Sequence, residues 1–158
     1  MPTSLQTHQC ATALRLDRQL CFALYAASRA MTRLYQPRLS ALGLTYPQYL
    51  VLLVLWESDH QTVSDIGDRL GLDSGTLTPL LKRMEAAQWL RRQRDAHDER
   101  RVGIHLTEQG QALKLKAQSI PLELAQATGC GAHELAELTQ QIQALQLRLN
   151  AAAAPALA

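Results

Sequence analysis

The sequence predicts a mainly α-helical protein with one small β-hairpin wing, a winged helix-turn-helix flanked by long terminal helices. Three observations predict it. Apolar residues recur at steps of three and four along most of the 158-residue chain, which is 47% hydrophobic but only 4% aromatic, a Leu- and Ala-rich helical composition. Two short helical patterns meet at Gly71 with almost no linker, the spacing of a helix-turn-helix. A charged run then separates Leu90 from the alternating Val102-Gly103-Ile104-His105-Leu106, the pattern of two strands around a charged tip.

Residues 1–13 lack periodicity and read as a flexible arm. A long helix is expected from Leu14 to about Ala41. Leu20, Leu24, Ala27, Met31 and Leu34 form its apolar stripe, Pro37 bends or restarts its last turn, and Gly43 ends it. Thr45-Tyr46-Pro47 is a helix-start signal, and Gln48–Glu57 is apolar enough to be a core element. Ser64 is expected to cap the next helix, with Asp65 in its first turn, Ile66 and Leu70 on one face and Gly71 as the stop. In the second helix of the pair, Asp73–Glu85, burial is expected for Leu77, Leu80, Leu81 and Met84. Thr107 caps a further helix that Pro121 interrupts. After Gly129-Cys130-Gly131 a final helix, Ala132–Asn150, repeats Leu135, Leu138, Ile142, Leu145 and Leu149. The expected organisation is one domain: dimerisation helices over 14–44 and 108–150, a DNA-binding winged helix over 45–107, and a frayed tail over 151–158.

Off the buried stripe, the second helix of the pair offers Ser74, Thr76, Thr78 and Lys82, with Arg83 beside them. Short hydroxyls at the N-terminal end suit close approach to bases and phosphates, and Lys82 or Arg83 can neutralise a phosphate. Pro79 is awkward there, because it removes one N–H from the helix interior. The net charge of +2 does not announce nucleic-acid binding, but its distribution does. Residues 82–101 gather Lys82, Arg83, Arg91, Arg92, Arg94, Arg100 and Arg101 against Glu85, Asp95, Asp98 and Glu99. Alone, such a run reads as a solvated face; directly after a helix-turn-helix it reads as a wing aimed at a minor groove. Arg94 and Arg100 are the expected working residues of the wing and Asp98 their brace, although Arg100 can itself serve as a brace. One reader makes a small DNA interface, and the terminal stripe is regular. The expected partners are therefore a second copy of the chain and pseudo-palindromic double-stranded operator DNA.

No apolar run reaches the length of a membrane span and no signal-peptide pattern is present, so a cytoplasmic location without membrane contact is expected. Three cysteines in that compartment read as thiols. The histidines at 8, 60, 97, 105 and 133 have no metal-ligand spacing, so neither a metal nor a cofactor is expected.

The stretch Leu72–Glu85, with Asp98-Glu99-Arg100 and Leu106-Thr107-Glu108-Gln109-Gly110, resembles the MarR family of winged-helix repressors along nearly the whole chain. Leu20–Arg29 and Leu44–Leu50 resemble one subfamily, the organic hydroperoxide resistance regulators (OhrR). The Ala-rich end and the second arginine of Arg100-Arg101 depart from that pattern. The resemblance implies a dimeric repressor, not an enzyme, whose sensing thiol is Cys21, positioned by Tyr35 and Tyr46. Organic hydroperoxide would oxidise Cys21 and release the DNA. Cys130 resembles the resolving cysteine of the two-cysteine members, implying an intersubunit Cys21–Cys130 disulfide.

Helix geometry adds an independent constraint. Cys21 and Tyr35 are fourteen residues apart, about 21 Å along a straight helix, so a Tyr35 that touches a Cys21 touches the partner's. Which subunit's cysteine Tyr46 reaches is open. Phe22, Leu24, Tyr25 and Trp56 offer apolar surroundings suited to organic hydroperoxides rather than hydrogen peroxide. By themselves Cys21 would read as an inert helix thiol and Cys130 as a harmless loop thiol, and Cys10 lies outside the resemblance. Two rivals stand beside this reading. A MarR-type regulator induced by a reversibly bound small aromatic ligand needs no cysteine. A thiol peroxidase would leave the reader and wing without a use.

Overall fold

The computed structural model describes residues 14–94 and 102–153. It divides into two compact units, Met1–Ala117 and Gln118–Ala158. The N-terminal helix begins later than the periodicity suggests. Leu16–Arg18 form a 3-10 turn in which Arg15 pairs with Asp17 at 2.8 Å, and Gln19 is extended. Helix α1 then runs from Leu20 to Ala41. Pro37 lies inside it without ending it: the proline removes the donor that would meet the Arg33 carbonyl, and both residues are exposed, where water can substitute.

Helix α2, Tyr46–Glu57, starts at Thr45, whose N–H donates to the Gln48 side-chain carbonyl at 2.7 Å. It buries Tyr49, Val51, Leu52, Val54 and Leu55, as its apolar composition predicts. Strand β1 is only Gln61–Thr62 and was not legible as a strand. Helix α3, Val63–Leu70, is capped by Thr62 rather than the expected Ser64. The Thr62 hydroxyl accepts the Asp65 N–H at 3.1 Å while the Asp65 carboxylate accepts the Thr62 N–H at 3.0 Å, a closed capping box. Ser64 is one residue inside the helix, where its hydroxyl cannot perform that role. Gly71 ends α3 in the left-handed region at φ 64°, which a residue bearing a Cβ adopts only with strain.

Helix α4, Ser74–Ala86, follows with Asp73 as cap. It buries Leu77, Leu80, Leu81 and Met84, as the sequence predicts. Pro79 is carried inside the helix because it and Gly75, the residue whose carbonyl loses its donor, are both on the exposed side. Strands β2 (Leu90–Arg94) and β3 (Val102–Leu106) pair antiparallel, with Arg92 opposite Ile104 and Arg94 opposite Val102. β1 adds on the other side of β3, giving the order β1-β3-β2. The expected wing tip, with Asp95, Asp98 and Arg100, lies outside the described residues, as do residues 1–13 with Cys10.

Thr107 caps helix α5, Glu108–Ala117: its hydroxyl accepts the Gly110 N–H at 3.0 Å and donates to the Gln88 carbonyl. Gly110 lies so close to the α4–β2 connection that a Cβ on it would stand 1.9 Å from the Trp89 carbonyl oxygen. The same corner is tied by the Trp56 indole N–H, which donates to the Gly110 carbonyl at 3.0 Å, and by Lys114, which donates to the Trp56 carbonyl at 2.9 Å. Leu52, Leu55, Ile66, Leu77, Leu81, Met84, Leu90 and Ile104 are all within 1% of full burial and make the core of this unit. Each contributes about 1.5–3 kcal/mol by leaving water.

The second unit has two helices. In α6, Ile120–Thr128, Pro121 occupies the first turn, where a missing N–H costs nothing. Helix α7 runs Ala132–Ala153, so Ala151–Ala153 extend a helix expected to end at Asn150, consistent with the high helix propensity of alanine. Residues 154–158 of the expected frayed tail lie outside the described residues. No described residue of α7 is buried, and Leu138, Ile142 and Leu149 are 43%, 51% and 54% exposed.

Candidate DNA interface and thiol site

The exposed side of α4 is built by what its other side must bury. With Leu77, Leu80, Leu81 and Met84 turned inward, Ser74, Thr76, Lys82 and Arg83 are exposed and Thr78 is half-buried. Thr76 is not the simple donor expected of it. Its N–H and its hydroxyl both donate to the Asp73 carboxylate at 2.9 Å, so its hydroxyl offers outward mainly its lone pairs. Those bonds, the backbone one foremost, hold the Asp73 carboxyl below the ordinary aspartate value. The cap therefore stays charged and puts one negative group at the N-terminal end of a helix otherwise suited to phosphates. Its position just before Ser74 was the available signal.

The wing strands are described up to Arg94, which is exposed. Side chains alternate along β2, placing Arg92 and Arg94 on one face and Arg91 and Gln93 on the other. Arg92 is not a free cation: its Nε lies 3.1 Å from the Glu85 carboxylate, and its backbone N–H donates to the same carboxylate at 2.8 Å. Glu85 thus ties the last turn of α4 to the edge strand, so helix and wing are set relative to each other. Sequence reasoning counted Glu85 only as a charge offsetting the basic run.

The thiol-site residues fall in two groups. Cys21 is exposed, one residue into α1, and Tyr35 is about 21 Å further along the same helix. Tyr35 packs with its ring tilted against Tyr46, centroids 4.9 Å apart, and against Tyr49 at 5.8 Å. Tyr49 was a missed member of this cluster, although it is three residues beyond Tyr46 on the same helix. Burial raises the pKa of all three phenols, and their mutual proximity raises Tyr35 and Tyr49 further, so each remains an O–H donor at neutral pH. Trp56 lies edge-on to Tyr49 at 6.2 Å, with its indole N–H committed to Gly110. A cavity of about 280 Å³ opens beside this cluster, lined by Thr32, Gln36, Leu39, Leu44, Tyr46 and Pro47 among others.

Cys130 belongs to the second unit. It follows Gly129, which ends α6 at φ 71°, and precedes α7. The Cys130 N–H donates to the Thr128 hydroxyl at 3.3 Å and its half-buried thiol lies 3.8 Å from the Thr128 carbonyl. The thiol is a weak donor to that carbonyl, so it is held in a helix break by little more than the local turn.

Comparison with known proteins places this architecture. A family model described as the transcriptional regulator SarA/Rot matches residues 33–117. The chain is 56% identical over 108 residues to the organic hydroperoxide resistance transcriptional regulator of Bacillus subtilis, covering 68% of this chain and 74% of that one. It is 51% identical over 138 residues to the HTH-type transcriptional regulator TtmR of Methylorubrum extorquens, covering 87% and 71%. Among solved structures, reduced AbfR bound to DNA superposes with a TM-score of 0.72 at 38% identity, over 88% of this chain and 95% of that one. Disulfide-formed AbfR superposes with a TM-score of 0.58 at 40% identity, over 88% and 98%. No single described helix is long and apolar enough to cross a membrane. Helix-turn-helix, three-stranded wing and these relatives agree: the chain belongs to the MarR family of winged-helix transcriptional regulators, alongside the organic hydroperoxide resistance regulator.

Proposed function

We propose that this regulator is a cytoplasmic, homodimeric repressor that binds pseudo-palindromic operator DNA and lets go when Cys21 is oxidised by an organic hydroperoxide. The observation that carries the reading is the separation of the thiol from the phenol cluster along α1. Cys21 is exposed at the start of α1 and Tyr35, Tyr46 and Tyr49 cluster near its other end, so one chain cannot bring them together. Two copies with antiparallel α1 helices can. Leu20, Phe22 and Tyr25, which surround Cys21 on the exposed side of α1, would be covered by the same pairing. The phenols, still protonated, then donate to the partner's Cys21 thiolate.

The chemistry balances in two steps. The Cys21 thiolate attacks the distal peroxide oxygen of ROOH; the O–O bond breaks, ROH leaves and a sulfenic acid forms. The Cys130 thiolate of the partner copy attacks that sulfur, expelling water and closing an intersubunit disulfide. AbfR, 38–40% identical, has been solved both reduced on DNA and with a disulfide formed, which supports a redox-controlled DNA reader of this type. On the DNA side Ser74, Thr76, Thr78, Lys82 and Arg83 are the reading face, with Arg94 and Arg100 on the wing and Asp98 as brace.

The test is operator binding before and after one equivalent of an organic hydroperoxide, with non-reducing mass analysis of the same samples. Binding should be lost in the wild type and kept in Cys21→Ser. In Cys130→Ser, Cys21 should oxidise without forming the linked dimer. The cavity beside Tyr46 supports one other reading, a regulator induced by a reversibly bound small aromatic ligand. That reading gains if an aromatic acid releases operator from Cys21→Ser and peroxide does not affect the wild type.

A further inference from the structure

The wing sheet is tied to the helical body by a carboxylate at each edge, and the two ties differ in kind. On the outer edge, Glu85 of α4 receives the Arg92 N–H and pairs with its guanidinium. On the inner side, β1 covers only Gly103 and Ile104, and the N–H of Leu106 beyond it is received by Asp59 at 2.9 Å. Asp59 belongs to the turn between α2 and β1, and the same carboxylate oxygen also accepts the His60 N–H at 2.8 Å. His60 is held in the left-handed region at φ 62°, an uncommon conformation for a residue with a Cβ. That conformation brings its ring edge-on to His105 of β3, with centroids 4.5 Å apart and the two Nδ1 atoms facing each other at 2.5 Å. Asp59 also lies 3.7 Å from the far side of the His60 ring. Glu85–Arg92 pairs a carboxylate with a guanidinium; Asp59–His60–His105 joins a carboxylate to two imidazoles.

A facing pair of Nδ1 atoms holds together only while one of them carries a lone pair. With both rings neutral, one donates to the other. With one ring charged, the imidazolium donates to its neutral neighbour and the contact persists. With both charged, two N–H groups point at each other and it cannot. The surroundings of His105 resist its protonation. His105 is half-buried, and burial, His60 and its cross-strand neighbour Arg91 all hold its pKa below the ordinary 6.5, while Asp59 only partly opposes them. Its stabilising contribution is therefore complete above about pH 6.5 and is lost as the pH falls through its lower folded value, because the unfolded chain then binds the extra proton.

We propose that Asp59, His60 and His105 form an acid-released tie on the wing, so that a second proton on the imidazole pair frees the base of β3 from the α2–β1 turn and weakens operator binding. The outer Glu85–Arg92 tie holds at the same pH. The proposal rests on the DNA-reading function above, and it adds protons to peroxide as a second input to the same wing.

The test separates the tie from the DNA reading. Histidine-ring resonances and backbone amide protection are followed by NMR from about pH 7.5 down to the pH at which the ring resonances report both imidazoles protonated, in wild type, His105→Gln and His60→Gln, with operator affinity measured on the same samples. In the wild type the Leu106 protection factor should fall about fivefold, the loss of one hydrogen bond of ordinary strength. The Arg92 amide should be unchanged, and in both variants Leu106 should show no acid step. Operator affinity should fall about fivefold more in the wild type than in His105→Gln, which cancels the general gain from added positive charge. Equal Leu106 protection at both ends of the range, or the same fall in His105→Gln, overturns the tie. An intact acid step at Leu106 with parallel affinities in wild type and variant overturns its effect on DNA. Absence of operator binding by any form at any pH instead removes the DNA-reading function and leaves the tie to be judged by protection alone.

Discussion

Helices α4 and α7 carry equally regular apolar stripes and meet opposite fates. In α4, Leu77, Leu81 and Met84 are fully buried within their own unit. In α7, Leu138, Ile142 and Leu149 stay 43–54% exposed. The first half of α1 resembles α7, with Leu20 and Tyr25 nearly 60% exposed, whereas its last turn buries Leu39 against the reader. The reader is thus a closed structure that folds around its own core. The terminal helices present surface whose burial requires something further, and a second copy of the chain is the occupant the proposed function supplies.

Changes at four places would sharpen or break that contrast, taken from the largest expected effect to the smallest. A double change on α7, Leu138→Asp with Ile142→Asp, should raise the dimer dissociation constant by about a hundredfold or more, since two apolar side chains of about 1.5–3 kcal/mol each leave the interface. The reader should keep its fold. Sedimentation over a concentration series checks this, and an unchanged dimer would mean that α7 covers nothing.

Leu81→Ala on α4 should instead lower the unfolding free energy by about 2–5 kcal/mol, the cost of a cavity in a closed core. Chemical denaturation measures it. A loss below about 1 kcal/mol would make the reader as loosely held as the terminal helices.

Glu85→Ala should cost about 1–3 kcal/mol, because it leaves the half-buried Arg92 guanidinium and N–H without their partner. Glu85→Gln should recover part of the loss through its amide oxygen. If both variants bind operator like the wild type, the joint between α4 and the wing does not set the reading geometry.

Arg94→Ala should be mildest, leaving stability intact and reducing the salt dependence of operator binding by about 0.9 in log–log slope if Arg94 meets one phosphate. An unchanged slope together with unchanged affinity would remove Arg94 from the DNA surface.

Much of the reader was legible because its signals are local. Gly71 as a stop, Thr107 as a cap and Pro47 in a first turn depend on a few adjacent residues. The alternation Val102–Leu106 likewise declares a strand without reference to its partner. Where local signals competed, the reading slipped. Thr62 and Ser64 are both acceptable caps, and Thr62 prevails because it also pairs with Gly103 in β1, a strand too short to have a pattern. The extended backbone at Gln19 starts α1 six residues after Leu14, where periodicity alone would have continued the helix.

The amino-acid sequence by itself determined the main helices and the β2–β3 hairpin, the apolar side of each, and the family, because those follow from neighbouring residues and long motifs. It also separated Cys21 from Tyr35, since the rise of one helix permits nothing else. The tertiary structure alone decided the pairings between distant residues. His60 meets His105, Trp56 meets Gly110, and Asp59 meets the Leu106 N–H, each across 45 residues or more. No local pattern encodes such contacts. They arise when burial of the core brings separate elements together, and each polar group so enclosed must then find a partner or bear the cost of leaving water.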